Sequence, residues 1–73
     1  MIDITTLKVG DEVHYQPDHY GPDEYENGII KEIRPERIDG VWVVYNCNGE
    51  WHRYTDFTSA LTNLRDLKRG WRR

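Results

Sequence analysis

The chain has 73 residues, of which 37% are hydrophobic and 32% charged, and it carries a net charge of −3. A chain this short forms one domain that buries only about 60% of its unfolded surface, and its acidic balance argues against general duplex-DNA binding, in which phosphate contacts dominate. The single cysteine excludes an internal disulfide and favours a reducing, cytosolic setting. The predicted core comes from the aromatic residues and a short list of aliphatic ones: Ile2, Ile4, Leu7, Val9, Val13, Ile29, Ile30, Ile33, Val41, Val43 and Val44.

Three β-strands are predicted in the first two thirds of the chain. The first covers residues 11–16 and ends at Pro17, which cannot donate to a β-ladder. The second covers residues 28–34, begins at an Asn-Gly pair and ends at Pro35. The third is the β-branched and aromatic run VWVVY at residues 41–45.

The segment between the first two strands, PDHYGPDEYEN, has the composition of a loop. At about ten residues it is longer than a usual hairpin connection, and long loops in compact domains often carry function. We therefore expect it to form one lip of a binding site. Its carboxylates lack the spacing of a calcium-binding loop and are interpreted as solvated surface: Asp18, Asp23, Glu24 and Glu26.

The remaining third of the chain continues the β pattern. Asn46-Cys47-Asn48-Gly49 predicts a tight hairpin turn, and EWHRY at residues 50–54 predicts a fourth strand. Four strands joined by turns within about 45 residues indicate a small all-β barrel or sandwich. Residues 57–61 are predicted as a 3₁₀ turn and residues 62–67 as a fifth strand that would close the barrel. The alternative is a helix, because four residues fall at helical spacing: Ala60, Leu61, Leu64 and Leu67.

The order of these segments is similar to that of SH3-like barrels in their Tudor and KOW-related forms. LKVGDEV, GIIKEI, VWVVY, a hairpin and NLRDL carry this resemblance over roughly residues 7–67. The longer segments KVGDEVHY, YENGIIKEI and VVYNCNGEWHRYTDFTSALTNLRDLKRGW resemble short proteins encoded by bacteriophages and prophages. The resemblance implies an all-β, five-stranded SH3-like barrel over residues 1–68, with a short 3₁₀ turn before the last strand and a basic tail at residues 69–73.

Aromatic side chains supply the candidate binding residues. Alternation along the third strand places Trp42 opposite to Val41 and Val43, so Trp42 faces outward if the valines face the core. Five further rings lie on or near the predicted strands: Tyr15, Tyr45, Trp51, Tyr54 and Phe57. In Tudor-type barrels rings in such positions form a cage for a methylated cation, although Tyr45 and Phe57 are interpreted here as core. The predicted ligand-binding or partner-binding residues are Tyr15, Tyr20, Trp42, Trp51, His52, Arg53 and Tyr54.

Charge is distributed unevenly along the chain. Residues 1–36 hold nine acids and three bases, a charge of −6, whereas residues 37–73 hold four acids and seven bases, a charge of +3. Four of these bases lie around Trp71 in the last six positions: Lys68, Arg69, Arg72 and Arg73. This tail is either a solvated, frayed terminus or a basic arm that reaches a phosphate or an acidic partner.

Metal binding and catalysis find little support in the sequence. Two pairs, His14 with His19 and Cys47 with His52, are separated by four residues, which is not a usual zinc spacing. The only serine, Ser59, lacks a G-x-S-x-G frame, and Cys47 is expected to pack at one end of the barrel. We therefore expect neither an enzyme nor a bound metal or cofactor.

Three functions from different classes remain. The first is a non-enzymatic phage accessory module in the cytoplasm of the bacterial host, where it would counter a defence by binding a host protein or sequestering a small, nucleotide-like signalling ligand. The second is a single-stranded nucleic-acid binder that stacks bases on Trp42 or Trp51. The third is a self-associating assembly module, a homo-oligomer. No membrane partner is expected, because no apolar run approaches the length of a membrane span.

Overall fold

The computed structural model describes residues 2–72 and consists of one curled antiparallel sheet with short 3₁₀ turns. The strands are β1 (Glu12–Tyr15), β2 (Glu26–Glu32), β3 (Gly40–Tyr45), β4 (Ala60–Asn63) and β5 (Leu67–Arg69). The 3₁₀ turns are η1 (Ile4–Thr6), η2 (Trp51–Asp56) and η3 (Leu64–Asp66). The strand order is β4-β3-β2-β1-β5, and η3 directly precedes β5. The predicted all-β, five-stranded SH3-like fold with a 3₁₀ turn before the last strand is confirmed.

The sheet curls into a half-barrel with two edges. β4 pairs with β3, β5 pairs with β1, and the sheet order does not join β4 to β5. The turn η3 connects these two edges covalently, and its position is fixed by two main-chain hydrogen bonds. Leu64 N donates to Asp39 O at 2.9 Å, and Gln16 N donates to Asp66 O at 2.9 Å. The predicted closure of the barrel by the fifth strand is therefore wrong, and a seam remains between the end of β1 and the free edge of β4.

The predicted fourth strand at residues 50–54 is wrong, because this segment forms the 3₁₀ turn η2. Asn48 and Gly49 adopt φ values of 50° and 80°, and Glu50 N donates to Cys47 O at 2.8 Å, so the tight turn itself is present. Beyond it, however, Arg53 N donates to Glu50 O at 2.9 Å, which closes a 3₁₀ turn instead of a ladder. Residues 50–54 have no free strand to pair with, because β2 and residues 60–63 occupy the two sides of β3.

The end of the chain also differs from the prediction in its boundaries. The expected 3₁₀ turn at residues 57–61 and strand at residues 62–67 become a strand, a 3₁₀ turn and a second strand. The break falls at Asn63, whose side-chain oxygen accepts a hydrogen bond from Arg65 N at 3.0 Å and caps η3. Leu64 and Leu67 are each 2% exposed. They belong to the core of the barrel, and the alternative of a helix is wrong.

One face of the sheet encloses the main core. The buried residues of this core are Leu7, Val13, Ile30, Val41, Val43, Leu64 and Leu67. Val9, which the sequence predicted in the core, is 53% exposed. It lies in a turn where Asp11 N donates to Lys8 O and Gly10 takes a φ of +96°, so its side chain points away from the barrel.

The opposite face of the sheet is covered in part by the segments that follow β3 and β5. Alternation puts Asn27 and Ile29 on this face, and Asn27 forms two hydrogen bonds to the main chain of Arg72. Lys31, which lies in a β-bulge of β2, donates to the carbonyl of Phe57 at 2.6 Å. Val44 on this face is fully buried. In the described chain, no helix is both long and apolar enough to span a bilayer.

Candidate functional site

A groove of about 420 Å³ follows the seam between β1 and β4. Tyr15 and Tyr45 line it together with Glu26, Asp66 and the four residues of β4, 60–63. We call it the tyrosine groove. The β1–β2 register places Glu26 directly beside Tyr15, and the hydrogen bond from Gln16 N to the carbonyl of Asp66 brings η3 to the same end of the barrel.

Three tyrosine rings meet at this end of the barrel in edge-to-face contacts. The centroid of Tyr15 lies 5.5 Å from that of Tyr20, with planes at 85°. It lies 6.1 Å from the centroid of Tyr45, with planes at 66°. This is the geometry that aromatic quadrupoles favour. The loop between β1 and β2 therefore places Tyr20 against Tyr15, next to the groove.

Tyr45 forms the fixed wall of the tyrosine groove. Its hydroxyl shares a hydrogen bond of 2.8 Å with Thr62 Oγ1, which in turn donates to the carbonyl of Ala60 at 3.2 Å. Burial raises the pKa of Tyr45 to about 12, and the negative charge of Glu26 adds to the increase. The ring stays neutral and keeps one orientation at ordinary pH.

We expect the raised pKa of Tyr45 to appear in an alkaline titration followed by phenolate absorbance. The folded chain favours the neutral form of Tyr45, whose pKa in the unfolded chain has its ordinary value of 10.0. The contribution of Tyr45 to the free energy of unfolding is therefore complete below pH 10.0 and is lost as pH rises through about 12. The Tyr45→Phe variant should lose stability less steeply over this interval. A titration midpoint of the Tyr45 hydroxyl near its ordinary pKa would contradict the burial of this ring.

Two carboxylates give the tyrosine groove a negative charge. Tyr20 Oη donates to Glu26 Oε2 at 3.4 Å, and the pKa of Tyr20 is raised by desolvation and then by the charge of Glu26. Asp66 is half-buried and forms an ion pair with the highly exposed Arg65, at 4.0 Å. A pair this exposed and long contributes little. Both carboxylates are therefore available to a cation in the groove.

A second, smaller groove of about 330 Å³ adjoins the tyrosine groove. It shares Glu26 and Tyr45 with the first and adds Asn27, Asn46 and Trp51. Trp51 is half-buried, and its ring lies 4.6 Å from that of Trp71, with an angle of 46° between the planes. Trp71 Nε1 donates to the carbonyl of Gly28 at 2.8 Å. The predicted Trp51 thus lies next to the tyrosine groove as part of a tryptophan pair.

The other predicted binding residues lie elsewhere. Trp42 is half-buried under Arg34, whose guanidinium carbon is 4.7 Å from its ring centroid. His52 and Arg53 are exposed on η2, where Arg53 pairs with Glu50 and with Asp56. Tyr54 directs its hydroxyl toward Gly10. Of the seven predicted residues, Tyr15 alone lines the tyrosine groove, and Tyr20 packs edge-on against Tyr15 beside it.

The described part of the basic tail packs on the barrel. Lys68 and Arg69 are residues of β5, where Lys68 Nζ donates to Gln16 O at 3.4 Å and Arg69 bonds to Thr6 Oγ1. Arg72 lies 4.9 Å over the ring of Tyr25 and donates to the carbonyl of Pro22. A frayed terminus is therefore wrong for residues 68–72, and Arg73 lies outside the described residues.

Cys47 is fully buried, and burial raises the pKa of its thiol. His14, a member of the other pair with four intervening residues, donates a hydrogen bond from Nδ1 to the carbonyl of Gly70 at 2.8 Å. Across residues 2–72 no group of three or more His, Cys, Asp or Glu side chains could hold a metal ion.

We expect the Cys47 thiol to react with a disulfide reagent only when the protein unfolds, since a thiol needs both access and a thiolate to react. The measurement compares the rate of release of the coloured thiol in buffer and in denaturant. Reaction in buffer should be slower by at least about 100-fold. Fast reaction of the folded chain would contradict the buried position.

Two lining residues of the tyrosine groove are not predicted as site residues by the sequence: Asp66, and Glu26, which belongs to the loop carboxylates interpreted as solvated surface. Neither position carries a local signal, because their proximity to Tyr15 depends on strand register and on η3. Tyr45 was interpreted as core, and its position is in fact shared between core and groove. No protein-family model, curated protein or solved structure matches the chain.

Proposed function

We propose that the protein is a non-enzymatic binding module that holds a positively charged side chain of a protein partner in the tyrosine groove. The observation that carries this proposal is the pairing of tyrosine rings with carboxylates in one groove: Tyr15, Tyr45, Glu26 and Asp66. The faces of aromatic rings attract cations, each contact contributing about 0.5–2 kcal/mol, and the carboxylates add Coulombic attraction. The groove is large enough for a lysine or arginine head group, methylated or not.

The charge of the groove favours a protein partner over a nucleotide-like ligand. A phosphate beside Glu26 and Asp66 would be repelled at the position where the rings could stack on a base. The tail is also poorly suited to bind single-stranded nucleic acid. Its basic residue Arg72 already contacts Tyr25 and Pro22 and is not free to bind a phosphate. The phage origin and the role against a host defence stay predictions that rest on the sequence resemblance. Under them, the partner is a host protein with an exposed basic segment.

The test is a titration of the chain, followed by amide chemical shifts, with four small probes. They are the N-acetyl amides of arginine, lysine and trimethyllysine, and adenosine monophosphate. We expect the cations to bind with dissociation constants on the order of millimolar and to shift the amides around Tyr15 and Thr62. Tighter binding of adenosine monophosphate would overturn the cationic groove and support a nucleotide-like ligand.

Charge variants provide the control for this titration. Glu26→Gln and Asp66→Asn should each weaken cation binding about three-fold, and the double variant about ten-fold, since each removes one nearby charge. Glu36→Gln removes the same charge from an exposed turn outside the groove and should leave binding unchanged. If all three substitutions weakened binding equally, the cations would be attracted by the net charge of the protein and not by the groove.

A further inference from the structure

The strand β4 presents a free row of main-chain groups at the edge of the sheet. The β3–β4 register pairs Val41 with Thr62, and Leu64 N donates to Asp39 O one step beyond the strand. Hydrogen-bonded positions alternate along an antiparallel pair, so residues 60, 62 and 64 direct their main-chain groups toward β3. Leu61 and Asn63 therefore direct their N–H and C=O groups away from β3, toward the seam.

This edge lacks the features with which proteins usually protect a strand from pairing. The sequence of β4 is ALTN, without a proline and without a charged side chain, and Leu61 is 43% exposed. The other edge strand, β5, has the sequence LKR, with two basic residues exposed. The two edges of one sheet thus differ, and β4 is the one that lacks charged side chains.

The tyrosine groove runs along the same edge, because all four residues of β4 line it. A strand that paired with Leu61 and Asn63 would place its side chains within reach of Tyr45 and Asp66. We propose that the partner binds as an extended segment that adds to β4 as a sixth strand and inserts one arginine or lysine side chain into the tyrosine groove. This inference rests on the proposed function, and it adds the conformation of the partner and the main-chain contacts that hold it.

Charge argues that the added strand comes from a basic partner and not from a second copy of this chain. Each copy carries a net charge of −3, and β4 offers no basic side chain to the groove of its neighbour. Pairing of two β4 edges would instead bring the carboxylates of Glu26 and Asp66 from both copies toward one seam. A partner segment of about four residues, or about 13 Å, matches the length of β4.

The experiment uses a blocked five-residue peptide with a central arginine flanked by valines and threonines. Two analogues carry N-methyl groups on complementary alternate residues, and a third replaces arginine with citrulline. Since only one set of alternate N–H groups faces β4, one N-methyl analogue should lose at least about ten-fold in affinity and the other should bind like the parent. The citrulline analogue should also lose about ten-fold.

Protein variants test the same contact from the other side. Leu61→Pro removes an N–H that points away from β3 and leaves the β3–β4 ladder in place, whereas Leu61→Ala keeps that N–H. The proline variant should bind the parent peptide at least about ten-fold more weakly than the alanine variant. If Leu61→Pro fails to fold, as judged by circular dichroism, the N-methyl analogues still decide the question.

The outcomes separate the two proposals. If both N-methyl analogues bind like the parent while citrulline weakens binding, the edge-strand inference is overturned and the cationic groove stands. If neither the peptide nor the arginine amide binds, both proposals fail. If sedimentation shows a dimer that Leu61→Pro disrupts, a second copy of the chain pairs with β4. This result would overturn the inference of a basic partner.

Discussion

Gly28→Ala should lower the free energy of unfolding by about 3 kcal/mol, and the melting temperature by about 15 °C. A Cβ atom at this position would lie 2.5 Å from Val43 Cγ1, 2.9 Å from the carbonyl oxygen of Val44 and 3.0 Å from the ring of Tyr45. The neighbours cannot give way easily, because Val43 and Val44 are fully buried in β3. In a domain of this size the loss is a large share of a total of about 4–11 kcal/mol.

Gly21→Ala is the matched control for this prediction. Its added Cβ atom would meet Glu24 Oε1 at 3.0 Å, the far end of a flexible side chain in the loop between β1 and β2. We expect a loss of less than about 1 kcal/mol. Chemical denaturation of the three proteins measures the difference. Equal stability of the two variants would mean that β2 and β3 do not approach each other at Gly28 as described.

Trp71→Ala should lower the free energy of unfolding by about 2–3 kcal/mol. The substitution removes the hydrogen bond from the indole to the carbonyl of Gly28 and the ring contact with Trp51. Truncation of a fully buried tryptophan costs about 3–5 kcal/mol, and Trp71 is only half-buried, so its cost is smaller. Tryptophan fluorescence should also change, since Trp51 loses the ring beside it.

A second variant separates the two contacts of Trp71. Trp71→Phe keeps an aromatic ring against Trp51 and loses the indole donor, so we expect about 1 kcal/mol of destabilisation. Ile38→Ala, which truncates a side chain that is 74% exposed, should leave stability nearly unchanged. If Trp71→Ala behaved like Ile38→Ala, the tail would be the free basic arm that the sequence also permitted.

Strands with strong local signals were predictable within a few residues. β2 and β3 coincide closely with the GIIKEI and VWVVY runs, because β-branched residues bounded by turn signals favour strands in most contexts. Alternation also gave the direction of Trp42, which lies opposite to the buried Val41 and Val43. It could not predict that Val44, on the same face as Trp42, is fully buried. That burial depends on segments more distant in the chain.

The segment EWHRY shows the limit of local reasoning. It contains two residues that favour strands, Trp51 and Tyr54, yet it forms η2 because the position beside β3 is taken by Ala60–Asn63. Strand propensity describes how well a side chain fits a pleated surface, and such a surface exists only where a partner strand is free. Residues 50–54 and residues 60–63 compete for the same place beside β3. The local sequence of either segment does not show which of them pairs.

The sequence by itself determined an all-β domain, the approximate positions of β2 and β3 and the long loop between β1 and β2 that carries Tyr20. Only the tertiary structure decided that Tyr15, Glu26, Tyr45 and Asp66 line one groove. The physical reason is that turns and alternation act between neighbours in the chain, whereas a groove is made by strand register and sheet curl, which join residues far apart in sequence. The packing of Trp71 on Gly28 belongs to this second group, since 43 positions separate the two residues.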